Sequence, residues 1–137
     1  MSVTGSRPLL ISDCDEVLLH MIVPFGEWLE ETQPDIACLQ EVKSQDEGFP
    51  IAEFERAGYG AIWHGQKSFN GVAILAKGAQ PIETQRTLPG DPLDEHARYL
   101  EADVFGIRVA SIYLPNGNPQ PGPKFDYKLA WMQRLYA

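Results

Sequence analysis

The chain has 137 residues, 44% hydrophobic and 22% charged, which excludes intrinsic disorder and is enough for one domain with a packed core. Its formal net charge is −8, with twelve acidic against three basic residues in 1–56 and seven against eight in 57–137. This balance argues against tight nonspecific binding of nucleic acid, but it allows a local basic groove or a carboxylate cluster that holds a divalent metal.

The first third of the chain predicts a β–α–β unit whose two strands end in acidic residues. The predicted elements are a strand at 8–12, a helix from 24 to about 32 and a buried strand at 36–39. Ligands of open α/β sheets bind outside the C-terminal ends of the strands. Asp13 and Asp15 after the first strand and Glu41 after the second are therefore candidates for one cluster.

The remainder of the chain predicts mainly antiparallel strands. The expected elements are a short helix at 50–56, strands at 59–64, 71–76, 81–87, 98–104 and 107–113, and a helix from 124 onward. Phe105-Gly106 separates the last two strands and predicts a tight hairpin. The order predicts a single α/β domain, 1–137, with a mixed sheet and helices on one face.

Cysteine content and the N-terminal sequence bear on the cellular compartment. Cys14 and Cys38 lie in or at the end of apolar runs, which favours buried reduced thiols over a disulfide. No basic flank precedes an uninterrupted apolar stretch near the N terminus, so neither a signal peptide nor a membrane span is predicted. The expected location is cytoplasmic.

Most of the chain from about Glu27 onward resembles one nuclease family. The segments that carry the resemblance are EWLEETQPDIACLQEVKSQDEGFP, GYGAIWHGQKSFNGVAILAK, LPGDPLDEHARYLEADV, RVASIYLPNGNP and KFDYKLAWMQRL. They are similar to the exonuclease III family of apurinic/apyrimidinic (AP) endonucleases, in its order and near its spacing. The resemblance implies Mg²⁺-dependent phosphodiester hydrolysis of double-stranded DNA at abasic sites and 3′ ends, with Mn²⁺ as a substitute metal. It also implies one half of a four-layer α/β sandwich.

The resemblance assigns roles to residues that match the family motifs. Glu41 in LQEVK matches the metal-binding glutamate, and Tyr113 in SIYLPNG matches the active-site tyrosine near the scissile phosphate, with Asn116 in the same motif. Residues in segments that would face the DNA backbone are Lys67, Asn70 and Arg98.

Each assignment has a structural alternative on the residues alone. Glu41 by itself is typical of a solvated loop acid, and Tyr113 of a core residue at a strand end. Arg98 fits one polar face of a strand. His64 and His96 have no sequence partner and are interpreted as structural.

The opening stretch RPLLISDCDEVLLHMIVPF, residues 7–25, departs from the nuclease pattern. It resembles the first motif of haloacid-dehalogenase-type phosphohydrolases, which implies Asp13 as nucleophile and Asp15 as general acid. A gapless alignment on Glu27-Trp28 puts the metal-binding asparagine of the nuclease family at Cys14. The sequence therefore predicts a chimera of 1–25 and 26–137. Three interpretations of the aspartate pair stay open: a polar strand end, Mg²⁺ ligands with Glu41, or a phosphatase motif.

The nuclease family is about twice as long as this chain. The resemblance assigns a Gly-Asp-x-Asn segment, a further aspartate and an Asp-His pair to its later half, and this sequence contains none of them. We therefore expect a chain that is inactive or very weak alone; the alternatives are a noncatalytic chimeric or engineered domain and an Asp13-dependent phosphatase. A sheet face lined by strands 36–39, 72–75 and 107–113 is predicted to be uncovered, which favours a homodimer.

Overall fold

The computed structural model describes residues 10–13, for which only the backbone is considered, and 26–137. In chain order the elements are β1 (Leu10–Asp13), α1 (helical over 26–32), β2 (Ile36–Gln40), a 3-10 turn (Asp46–Gly48), α2 (Ile51–Arg56), β3 (Tyr59–His64), β4 (Val72–Lys77), β5 (Ile82–Gln85), β6 (Tyr99–Val104), β7 (Ile107–Ile112) and α3 (Pro123–Tyr136).

Four strands form a first sheet in the order β1-β2-β4-β3. β1 and β2 are parallel, with Leu10 opposite Ala37 and Asp13 opposite Gln40, and the other pairs are antiparallel. The predicted mixed sheet and the β–α–β start are confirmed. Because the parallel strands end side by side, Asp13 and Gln40 lie at the same edge of this sheet, next to Glu41.

The remaining strands form a second, antiparallel sheet in the order β5-β6-β7. β6 and β7 pair in continuous register from Tyr99 opposite Ile112 to Val104 opposite Ile107. Phe105 and Gly106 join them with φ values of 52° and 75°. Two successive positive φ values fit the twist of a tight hairpin, and the predicted turn is confirmed.

The first sheet is covered on both faces, which explains the continuous apolar runs of β2 and β4. Ala37 and Leu39 point to a core shared with Leu29 of α1 and Phe54 of α2. The alternate residues of β2 and β4 pack on the second sheet, in a cluster that contains Ile36, Cys38, Val72, Ile74, Ala76, Leu100, Ala102, Val104 and Val109. Side chains that alternate across a strand thus fill two cores.

The prediction of an uncovered face is wrong for the strands 36–39 and 72–75. Cys38 and Ile74 are at most 1% exposed, because β6 and β7 of the same chain cover them. The sequence pattern could not separate one sheet from two, since both arrangements contain the same hairpin. Exposed apolar side chains remain on β7, the third strand of the predicted face, at Ile107 and Ile112. The homodimer stays a prediction.

Burial and helix length address two other predictions. Burial raises the pKa of the Cys38 thiol to about 12, as expected of an inert reduced cysteine. Among the described residues no helix has the length and apolar character needed to cross a membrane. The cytoplasmic location stays a prediction, and Cys14 lies outside the described residues.

Candidate functional site

A cleft of about 590 Å³ lies at one end of the sandwich. The C-terminal ends of β2 and β7 meet the N-terminal ends of β4 and β6 there, because these strands are antiparallel neighbours. The cleft is lined by five of the residues that the sequence singled out: Glu41, Asn70, Arg98, Tyr113 and Asn116. Segments up to 75 positions apart in sequence, 41 to 116, are thereby brought together.

Backbone hydrogen bonds tie the segments around the cleft to one another. Lys43 N donates to Asn70 O at 2.9 Å, and Gly71 N donates to Ala97 O at 2.9 Å. Glu41, Lys43 and Asn70 have φ values of 60°, 52° and 55°. Side chains disfavour this left-handed region, and such conformations cluster at functional sites where the surroundings hold them. The floor of the cleft is therefore built with a fixed backbone.

Glu41 supplies the carboxylate of the cleft. Its side chain is 19% exposed, and Lys43 Nζ lies 4.0 Å from its Oε1. Mg²⁺ binds to proteins through one or two carboxylates and completes its shell with water and phosphate oxygens. Glu41 fits this requirement as one ligand. Among the side chains of residues 26–137, no three His, Cys, Asp or Glu are grouped so that they could hold a metal ion.

One of the two predicted aspartate ligands lies at the end of β1. Asp13 ends this strand beside Gln40 in the parallel register, so its backbone is one strand away from the segment of Glu41. Asp15 lies outside the described residues. Their roles as metal ligands stay predictions.

Arg98 is a half-buried cation in the cleft. Its Nε donates to His96 Nδ1 at 3.3 Å and its Nη1 to Tyr113 O at 3.3 Å. The guanidinium carbon lies 5.0 Å from the ring centroid of Tyr113 and 5.7 Å from that of Tyr127. These distances are within the range of cation–π attraction. His96, interpreted as structural from the sequence, therefore belongs to the cleft.

The other predicted site residues differ in their surroundings. Asn116 is exposed, and its Oδ1 accepts a hydrogen bond from Asn118 N at 2.8 Å. Asn70 is 7% exposed, and its Nδ2 donates to Gln66 Oε1 at 2.9 Å. Lys67 is exposed and does not line the cleft. The structure thus brings together five predicted residues and leaves Lys67 outside.

Sequence reasoning missed three residues that line the cleft: Lys43, Lys124 and Tyr127. Lys43 stands two residues after Glu41 in LQEVK, and the other two belong to KFDYK, which carries the family resemblance and predicts a helix but had no chemical role assigned to it. Among the described side chains, Lys43, Lys124 and Arg98 give the cleft three basic groups against one carboxylate, that of Glu41. A basic spot of this kind in a chain of charge −8 favours an anionic ligand.

A buried network supports the wall of the cleft. Asp94 Oδ2 accepts hydrogen bonds from Arg134 Nη1 and from the Tyr127 hydroxyl, both at 2.8 Å. Burial opposes ionisation of Asp94, but the hydrogen bonds from Arg134, His96 N and Tyr127 outweigh it and lower the pKa of this carboxyl. Arg134 also donates to the carbonyl oxygens of Leu88 and Pro89. Hydrogen bonds from Arg134 therefore link the loop before β6 to α3.

Comparison with known proteins identifies the class of fold and then the family. The fold is that of exonuclease III and AP endonucleases: an AP endonuclease from Archaeoglobus fulgidus superposes with a TM-score of 0.86 at 35% identity over 93% of this chain. The 3′ phosphatase NExo from Neisseria, bound to a product DNA hairpin, superposes with a TM-score of 0.87 at 34% identity. Residues 22–137 match the Endonuclease/Exonuclease/phosphatase family, and the chain belongs to it.

Curated relatives agree with this assignment, and the chain covers less than half of the length of each one. Exodeoxyribonuclease III of Haemophilus influenzae is 41% identical over 113 residues, which are 80% of this chain and 41% of that protein. DNA repair nuclease APEX1 of Danio rerio is 26% identical over 77% of this chain and 34% of its own length. The chain also covers 49% of both solved structures. The predicted resemblance is confirmed for the family, while the comparisons do not address the phosphohydrolase-like motif in 7–25.

Proposed function

We propose that this chain is a Mg²⁺-dependent unit of exonuclease III type that acts on double-stranded DNA at abasic sites and 3′ ends. The observation that carries the proposal is the cleft, in which Glu41, Arg98, Tyr113 and Asn116 meet. One carboxylate beside several donors and cations is the composition that a phosphate–metal site requires. The DNA-hairpin complex of the similar NExo protein supports DNA as the partner.

The predicted site residues divide into metal ligands, groups that contact the phosphate and groups that position the DNA backbone. Glu41 would hold Mg²⁺, with Asp13 and Asp15 as further ligands, and the bound ion would stabilise the charge that develops on the phosphate. Tyr113 and Asn116 are the groups that would contact the scissile phosphate. Residues that would position the DNA backbone are Lys67, Asn70 and Arg98.

Activity of these 137 residues as an isolated polypeptide is expected to be very weak. Hydrolysis needs a positioned nucleophile, a base and charge stabilisation together, and the loss of one reduces the benefit of the others. The later motifs of the family are not in this sequence, and the chain spans 41% of exodeoxyribonuclease III. The second candidate function is a noncatalytic domain that keeps the motifs without activity.

The proposed chimera of 1–25 and 26–137 concerns the metal site directly. The family match covers residues 22–137, and the proposal of a chimera rests on the sequence pattern of residues 7–25. We expect Cys14→Asn to supply the amide oxygen that the nuclease family has at this position and to increase Mg²⁺-dependent cleavage, whereas Cys14→Ser should not. Equal activity in the two variants would contradict this placement of Cys14.

The proposed homodimer would form at the exposed edge of the second sheet, since the first sheet is covered. β7 is an edge strand of the second sheet among the described residues, and Ile107, Ile112 and Leu114 near it are exposed. An unpaired edge with apolar side chains is a surface that a second copy would cover. Analytical ultracentrifugation should show a dimer that Ile112→Lys weakens. A monomer at micromolar concentration would contradict the dimer.

A cleavage assay on duplex DNA with one abasic site tests the proposed function. We expect slow cleavage that requires Mg²⁺ or Mn²⁺, stops with chelator and is lost in Glu41→Ala. Glu55→Ala is the matched control, because Glu55 is an exposed acid of α2 that does not line the cleft. Cleavage that survives Glu41→Ala would indicate a contaminating nuclease. Absence of both cleavage and metal-dependent DNA binding would favour the noncatalytic domain.

A further inference from the structure

We infer that Tyr127 is a positioning residue that holds the Arg98 guanidinium in the orientation in which it meets a DNA phosphate. The inference rests on the proposed function for the role of Arg98, and it extends that function to a residue of α3. Its sequence context, KFDYK, predicts a helix and carries no predicted chemical role. In the structure it places Tyr127 in the cleft wall.

The first observation is the environment of the guanidinium. The Arg98 guanidinium carbon lies 5.7 Å from the ring centroid of Tyr127 and 5.0 Å from that of Tyr113. Nε and Nη1 are occupied by His96 Nδ1 and Tyr113 O. Within the described part of the chain, Nη2 makes no hydrogen bond and is left for an anion. Arginine is suited to this use, because its planar fork binds phosphate oxygens while its flat surface contacts aromatic rings.

The second observation is that Tyr127 is itself held in place. Its hydroxyl donates to Asp94 Oδ2 at 2.8 Å, and the same oxygen accepts from Arg134 Nη1. The side chains of Asp94 and Arg134 are 5% and 14% exposed, so water competes little for this pair. The ring of Tyr127 also lies 4.7 Å from that of His96, which accepts the Arg98 Nε–H.

The consequence is that Tyr127 of α3 restricts the orientation of the Arg98 guanidinium. An arginine side chain that is free to rotate loses rotamer freedom when it binds, and this loss reduces affinity. A ring fixed by Asp94 and Arg134 restricts Arg98 before the ligand arrives. Tyr127 would therefore act through Arg98, with no contact of its own to the reacting atoms.

The test compares Tyr127→Met, which removes the ring at similar volume, with Tyr127→Phe, which keeps it. Tyr136→Leu is the matched control, because Tyr136 is in the same helix and 95% exposed. The Arg98 Nε–H resonance, identified by its loss in Arg98→Gln, reports orientation through ring-current shifts. Anisotropy with a duplex that carries an abasic-site analogue reports affinity. In the unmodified chain, a nuclear Overhauser effect should connect the Arg98 Nε–H proton to the ring protons of Tyr127. This measurement does not depend on whether the variants fold.

We expect Tyr127→Met to move or broaden the Arg98 resonance and to weaken DNA binding by about threefold to tenfold, the size of one cation–π contact. Tyr127→Phe keeps the ring but loses the hydroxyl bond to Asp94, so it should change the resonance and the affinity less than Tyr127→Met does. An unchanged Arg98 resonance in folded Tyr127→Met, or no Overhauser effect in the unmodified chain, would overturn the inference. If Arg98→Gln binds DNA as the unmodified chain does, the DNA contact proposed for Arg98 fails, while the resonance still decides whether Tyr127 positions it.

Discussion

His64, the last residue of β3, is a half-buried histidine with an incompletely paired ring. Its Nδ1 lies 3.3 Å from Arg86 Nη1, and its buried Nε2 has no hydrogen-bond partner among the described residues. Burial lowers the pKa of His64, the cation of Arg86 lowers it further, and Asp46 and Glu83 act in the opposite direction. The folded state therefore favours the neutral imidazole.

This environment predicts a pH dependence of stability. Since the unfolded chain binds a proton at His64 more readily, the free energy of unfolding should fall as pH decreases below the unfolded pKa of about 6.5. The stabilising effect is fully present above that pH and is lost as pH falls through the lowered folded pKa. Urea denaturation at pH 7.5 and 5.0 should show a smaller loss in His64→Gln. An equal loss in both proteins would contradict the prediction.

The position of individual residues in the cleft was predictable where a motif indicated it. Glu41 in LQEVK and Tyr113 in SIYLPNG both line the cleft, and their roles in metal and phosphate binding stay predictions. Tyr127 was not predictable, because its contribution depends on Asp94, which is 33 positions away in sequence and meets it only in the folded chain. Lys67 is exposed outside the cleft lining, and its predicted contact with the DNA backbone stays a prediction.

At the scale of elements, the β6–β7 hairpin is held by a two-residue turn that depends on glycine. Gly106 has a φ of 75°, and a Cβ added there would meet nothing within 4 Å. Gly106→Ala should therefore lower the free energy of unfolding by about 1 kcal/mol through backbone strain alone. Phe105→Asn is the comparison, because asparagine tolerates the φ of 52° and should cause no loss. Equal destabilisation by both variants in urea denaturation would contradict this account.

Strand positions were predicted closely, but their assignment to sheets was not. The predicted strand at 59–64 coincides with β3, and the predicted strand at 81–87 shortens to β5. Local alternation and turn residues carry this information. Whether the β6–β7 hairpin continues the first sheet or packs across it depends on a core that joins Ile74 to Leu100 and Ala102 in one cluster, which a single sequence does not display.

At the scale of the whole molecule, the two sheets of one chain share a core. Ile74 of β4 is fully buried between them, whereas Ile82 of β5 is 67% exposed. Ile74→Ala should lower the free energy of unfolding by about 2–5 kcal/mol, and Ile82→Ala by less than about 0.5 kcal/mol. Chemical denaturation measures both. A small effect of Ile74→Ala would contradict the packing of the two sheets within one chain. It would instead favour a second copy as the cover of this face of the first sheet.

Charge is distributed over the whole molecule in a way that favours one location for an anionic ligand. The chain carries −8 overall, yet Lys43, Arg98 and Lys124 line the same cleft as Glu41. A metal ion bound to Glu41 would add positive charge there and strengthen the attraction for a DNA phosphate. The central claim is therefore that metal and phosphate meet in this cleft.

Titration of the ¹⁵N-labelled chain with Mn²⁺, which takes the carboxylate and water ligands of Mg²⁺, tests that claim most directly. Because Mn²⁺ broadens nearby amide signals, the account predicts broadening around Glu41, Asn70 and Tyr113 that is lost in Glu41→Ala and retained in Glu55→Ala. Broadening confined to other acidic segments, or unchanged by Glu41→Ala, would contradict it.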